Sequence, residues 1–100
     1  MIVVGGTFEV NPAEREAFIA ERVGMIRRSR AEPGCEEYTF AADPVEPGRV
    51  VLFERWTDQA ALDAHLGALR SDPPAPAPAI TATSTTITLY DVSGERPLVR

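Results

Sequence analysis

The chain has 100 residues, enough for one hydrophobic core and too few for two, and its 44% hydrophobic and 25% charged content is that of an ordinary folded domain. Fifteen acidic residues against ten basic ones, all arginine, leave a net charge of -5, which argues against nucleic acid as a partner because phosphate binding needs a basic patch. No apolar run approaches the ~20 residues of a membrane span, and one cysteine with one histidine supports neither an internal disulfide nor a metal site, so no membrane and no metal are expected.

Met1 to Val4 carries no basic n-region, which predicts a cytoplasmic protein. Ile2 to Val10 is rich in β-branched residues around Gly5 and Gly6 and reads as a strand whose glycines mark a close approach to the backbone. Asn11 can cap a helix and Pro12 suits its first position, with Glu14 three residues after the cap. Apolar residues from Ala13 through Phe18 and Val23 to Ile26 recur near a 3.6 period, which predicts one long amphipathic helix with Arg15, Glu21, Arg22 and Arg28 on its polar face. Glu32-Pro33-Gly34 stops it, and the acidic stretch Glu32 to Glu37 reads as a solvated turn. Glu36 and Glu37 beside Cys35 would raise its thiol pKa, so Cys35 reads as structural.

Cys35 to Ala42 and Arg49 to Trp56 are expected to be antiparallel strands joined by the turn cluster Asp43-Pro44 to Pro47-Gly48. Tyr38 and Phe40 share one face of the first, and Val50, Leu52, Glu54 and Trp56 one face of the second. Thr57 or Asp58 caps a second helix, roughly Gln59 to Leu69, with Ala61, Leu62, His65, Leu66 and Leu69 on one side. Four prolines between Pro73 and Pro78 forbid helix and predict an extended connector or lid. Thr83 to Val92 reads as the last strand.

The order β-α-β-β-α-β is that of a ferredoxin-like plait, an α+β fold with four antiparallel strands and both helices on one face, formed by residues 1–92 and followed by a tail, 93–100. Nothing is left to cover the other face of the sheet, so a homodimer is expected. Within the sheet-helix space, His65 is the single imidazole, the side-chain type that changes charge near neutral pH, and so the natural general base. It can equally pack and hydrogen-bond to a carboxylate such as Glu54. Trp56 offers an aromatic wall and an N–H donor, or simply core volume. Glu54 points to the same face and needs a partner, for which Arg22 or Arg27 is available. Tyr38 and Phe40 stack in the same space either as plain core or as pocket wall, and Phe8 reads as core.

Glu32-Pro-Gly-Cys35 followed by Tyr38, then Phe53-Glu54-Arg-Trp56-Thr-Asp58 and Ala60-Ala-Leu62-Asp-Ala64-His65, resembles the antibiotic biosynthesis monooxygenase family of dimeric α+β barrels over residues 2–92. The resemblance implies a dimer with a pocket in each subunit and oxidation of quinols or polyketide anthrones by O₂ without metal or flavin. His65 and Trp56 would then be catalytic, and Tyr38, Phe40, Glu54 and Leu52 substrate-binding. Members that degrade haem carry an Asn on the first strand and a His one turn beyond His65; here those places hold Gly5, Gly6 and Thr7, and Leu69, which disfavours haem chemistry. The alternative from another class is a non-catalytic dimer that binds a small aromatic molecule.

Overall fold

The computed structural model describes residues 1–100. Four strands, β1 (Ile2–Glu9), β2 (Cys35–Ala42), β3 (Arg49–Trp56) and β4 (Ser84–Asp91), form one antiparallel sheet in the order β2-β3-β1-β4. Three helices, α1 (Arg15–Ala20), α2 (Val23–Arg30) and α3 (Gln59–Ser71), supply the second layer. This is the expected ferredoxin-like plait. No helix is long and apolar enough to cross a membrane.

The alternation along β3 sets which face is covered. Val50, Leu52, Glu54 and Trp56 are all buried, whereas Val51 and Phe53 are 38% and 40% exposed. Opposite them on the buried face stand Ile2 and Val4 of β1 and Tyr38 of β2, with Ile26 and Leu62 closing the main core from the helices. A second cluster, Val10, Phe18 and Val50, sits at the hairpin end of the sheet, bridged to the first by Phe8 and Phe40. The helices cover β2 and β3, and β4 is left exposed along its whole length.

Gly6 lies where β1 meets β4: a Cβ there would stand 2.5 Å from the Thr86 carbonyl oxygen, so the close approach expected of this glycine is that of the edge strand. Gly34 has φ +83° and a Cβ there would meet the Ala61 side chain at 2.6 Å, so only glycine allows α2 to turn into β2 beneath α3. In the β2-β3 turn, Asp43 Oδ1 accepts from the amides of Val45 and Glu46, an Asx turn that Arg15 seals by donating to the carbonyls of Asp43 and Glu46.

The single long helix expected over residues 12–30 is instead three pieces: a 3₁₀ turn (Pro12–Glu14), α1 and α2. Asn11 caps the first of these through Ala13 rather than through a capping box with Glu14. The break falls at Glu21 and Arg22, where the Arg22 amide bonds to the Ile19 carbonyl three residues back and Arg22 takes φ -102°, ψ -3°. Glu21 there turns outward and accepts from the amides of Ala79 and Ile80. Tertiary bonds to the incoming β4 connector thus interrupt a pattern that periodicity alone reads as continuous. Helix α3 runs to Ser71, two residues past its expected end, and stops at Asp72 because Pro73 disfavours helical backbone at the residue before it. The tail beyond Val92 is exposed and irregular.

Candidate functional site

A cleft of about 440 Å³ opens between the sheet and helices α2 and α3. Its wall is almost wholly apolar: Val4, Phe8 and Leu52 from the sheet, Leu62, Leu66 and Leu69 from α3, with Ile87 and Leu89 of the uncovered β4 at its edge. Leu66, Ile87 and Leu89 are between 41% and 51% exposed, so this side of the cleft faces solvent. Four of the residues singled out from the sequence, Tyr38, Phe40, Leu52 and Glu54, are on this wall. Only two charged side chains reach it, Glu54 and Arg22.

Trp56 and His65 are not on the wall. They lie behind it, 0% and 2% exposed, with their rings 4.8 Å apart and tilted by 36°. Tyr38 meets both edge-on, at 5.3 Å from His65 and 6.3 Å from Trp56. Because Glu54 and Trp56 are two residues apart on one strand they share a face, and the indole Nε1–H donates to Glu54 Oε1 at 2.9 Å. On the far side, His65 Nδ1 lies 2.6 Å from Glu32 Oε1. A neutral ring that donates its Nδ1–H to Glu32 keeps its lone pair on Nε2. The result is a group reaching from the cleft through buried Glu54, Trp56 and His65 to Glu32, which is half-buried.

Burial pushes the Glu54 carboxyl above the ordinary carboxylate range, opposed by the Trp56 N–H and by His65. Burial likewise raises the Tyr38 phenol, with Glu54 adding to the rise, so Tyr38 stays a neutral donor. A carboxyl whose pKa is raised on folding binds its proton more tightly in the native than in the unfolded state. Its contribution is therefore complete below the unfolded value of ~4.3 and is lost as pH rises through the native value. Glu54→Gln, which keeps an acceptor for the indole and carries no charge, should gain stability over the wild type as pH rises from 4 to 8. Thermal midpoints of both proteins across that range check this; a gap that narrows toward pH 8 would count against a buried ionised Glu54.

Several sequence expectations are corrected here. Glu54 has no arginine partner: its hydrogen bond comes from Trp56, and neither Arg22 nor Arg27 is paired with it. His65 bonds to Glu32 rather than Glu54, so Glu32 is not part of a merely solvated turn. The Cys35 thiol is raised first by its own burial and then by Glu32 and Glu54, not by its neighbours Glu36 and Glu37. Arg22 is not on a polar face: its guanidinium lies 3.5 Å over the Phe18 ring, donates to the Phe18 and Ile80 carbonyls, and is only 15% exposed. The Glu32–His65 pair spans 33 positions and leaves no local pattern to find. The Phe18, Arg22 spacing of four was a legible signal, since such residues are neighbours on a helix.

The proline-rich run does not roof this cleft. It stands across α2 and the break before it, tied at one end by Arg28 to the Asp72 carbonyl and at the other by Glu21 to Ala79 and Ile80, and a separate groove of about 450 Å³ lies beneath it. It is a connector. No group of three or more His, Cys, Asp and Glu side chains is arranged to hold a metal ion.

A family model described as antibiotic biosynthesis monooxygenase matches residues 1–71. The chain is 45% identical over 64 residues to "Uncharacterized protein sll1783" of Synechocystis sp., an alignment covering 64% of this chain and 44% of that one. It is 35% identical over 65 residues to "Putative monooxygenase YcnE" of Bacillus subtilis, covering 65% and 68%. The chain thus spans less than half of the cyanobacterial relative and about two thirds of the bacillary one. Among solved structures, Rv0793 from Mycobacterium tuberculosis superposes with a TM-score of 0.75 at 29% identity, covering 96% of this chain and 98% of that one. A Deinococcus radiodurans structure superposes with a TM-score of 0.77 over the full length of both chains at 19% identity, a likeness of fold.

Proposed function

The chain belongs to the antibiotic biosynthesis monooxygenase family, and from that premise we propose that it oxidises an aromatic quinol or polyketide-like anthrone with O₂, using no cofactor. The observation that carries this reading is a single carboxylate, Glu54, on the wall of an apolar cleft with the imidazole of His65 close behind it. A phenol or anthrone entering the cleft meets few groups able to take a proton. Glu54, whose raised pKa makes it a stronger base than an ordinary carboxylate, receives it at the wall, and His65 behind it favours the ionised carboxylate that does so. Trp56 aims the carboxylate through its N–H, and Glu32 sets which nitrogen of His65 is free.

The resulting carbanion or phenolate is electron-rich enough to reduce O₂ directly. One oxygen atom enters the ring system and the other leaves as water. Tyr38, Phe40 and Leu52 supply flat and apolar contact for the ring and keep competing water out. The test is oxygen consumption by metal-free, flavin-free protein with a panel of hydroquinones and anthrones, with heat-killed protein as the blank. Uptake above the blank supports the reading. The burial of His65 and Trp56 favours a second one, a non-catalytic binder of aromatic molecules, and quenching of the single tryptophan without uptake would select it.

The outer face of the sheet carries Val51, Phe53 and Tyr90 around Gly5 and Thr88, three large apolar side chains between 38% and 53% exposed. We assign it to a homodimer packed sheet to sheet. Light scattering on a sizing column should give twice the monomer mass of 10.9 kDa, and Phe53→Asp should return the monomer. A wild-type monomer at micromolar concentration would remove the assignment.

A further inference from the structure

Resting on that reading of the cleft, we propose that Arg22 selects the substrate: the ligand is an aromatic hydroxy compound that also carries a carboxylate or a comparably acidic oxygen, held by the Arg22 guanidinium. Arg22 is the one cation on a wall otherwise made of apolar side chains and Glu54. It is fixed before any ligand arrives. One face rests on the Phe18 ring at 3.5 Å, one terminal nitrogen donates to the Phe18 carbonyl at 2.8 Å and the other to the Ile80 carbonyl at 3.1 Å. A guanidinium has five N–H donors, so these two bonds leave capacity for a bidentate partner, and a side chain already held loses little entropy on binding one.

Its charge is also poorly balanced within the chain. The nearest carboxylate oxygen, on Glu21, is 3.9 Å away, and both oxygens of that group are taken by the amides of Ala79 and Ile80. Burial accordingly lowers the Arg22 pKa, with Glu21 only partly offsetting it. An anion from outside would supply what Glu21 does not.

The two charged groups enter the cleft from different places. Glu54 stands in the row of Val4 and Tyr38, whereas Arg22 rests on Phe18, which packs against Phe8 at the Val50 row. Four residues of strand separate those rows, roughly 13 Å at the usual rise. Once a hydrogen bond at each end is allowed for, that row spacing suits a small fused-ring aromatic with a hydroxyl toward Glu54 and an acidic group toward Arg22.

The experiment uses redox-inert probes, so that binding is read apart from turnover: a naphthoate and the matching uncharged naphthamide, titrated calorimetrically into the full chain. Wild type should bind the naphthoate about tenfold or more tighter, as a charge-assisted hydrogen bond gives, with the preference shrinking at high salt. Arg22→Gln should abolish the preference while Arg22→Lys keeps part of it. Arg22→Gln also loses backbone bonds, so near-ultraviolet circular dichroism confirms its fold, and the wild-type preference and its salt dependence stand without it. Equal affinities for the two probes, no binding of either, or a preference unchanged in a folded Arg22→Gln would overturn the proposal. A carboxylate preference without oxygen uptake by any quinol would instead leave Arg22 in place and remove the monooxygenase reading.

Discussion

Trp56→Ala should cost about 3–5 kcal/mol of the roughly 5–15 kcal/mol that holds a domain of this size together. Trp56 is fully buried and packs against Tyr38 and His65 within the main core, so its removal leaves a cavity that the surrounding rings cannot fill without leaving their own partners. Glu54 would also lose its hydrogen-bond donor and be left as a buried carboxyl with nothing to satisfy it. At about 4–8 °C per kcal/mol for such a chain, the thermal midpoint should fall by some 12–40 °C. Trp56→Phe keeps most of the ring and drops only the N–H, and should cost about 1–2 kcal/mol. Thermal unfolding followed by circular dichroism separates the two; a loss below about 1 kcal/mol in Trp56→Ala would show that the core does not depend on this ring.

His65→Gln should lower oxygen uptake about 10-fold or more with any quinol that the wild type oxidises, because Glu54, the base on the wall, loses the imidazole that favours its ionised form. Glutamine is chosen because it can still donate to Glu32 and fills much of the space, whereas alanine would open a void between Trp56 and Tyr38. Binding of the same quinol, read from Trp56 fluorescence, should change little, because His65 lies behind the cleft wall rather than on it. The effect should therefore fall on kcat more than on KM. Unaltered turnover in a folded His65→Gln protein would remove His65 from the chemistry and leave Glu54 to act alone.

The wall of the cleft was legible in the sequence because it is made by strand alternation. Leu52 and Glu54 on β3, and Tyr38 and Phe40 on β2, follow from a period of two and a hairpin turn marked by Asp43, Pro44, Pro47 and Gly48. Leu62, Leu66 and Leu69 follow in the same way from helical spacing on α3. The second charge on the wall was legible only as a helix neighbour of Phe18, four residues back. Arg22 falls among the polar positions of a helix drawn as continuous, and only the break at Glu21 and Arg22, with Ile80 arriving from across the chain, turns it inward.

What the sequence by itself determined is the order and type of nearly every element, the buried phase of each inner strand and the choice of residues facing the helices. Those are set by short-range steric periods that act within a few residues. The tertiary structure alone decided the pairings among charged groups. Glu32 to His65 and Glu21 to Ala79 and Ile80 join segments far apart in the chain at the scale of a single hydrogen bond. Several side chains within reach could satisfy each buried polar group equally well on paper. Burial makes an unsatisfied one costly, and the packed geometry selects the partner that reaches it.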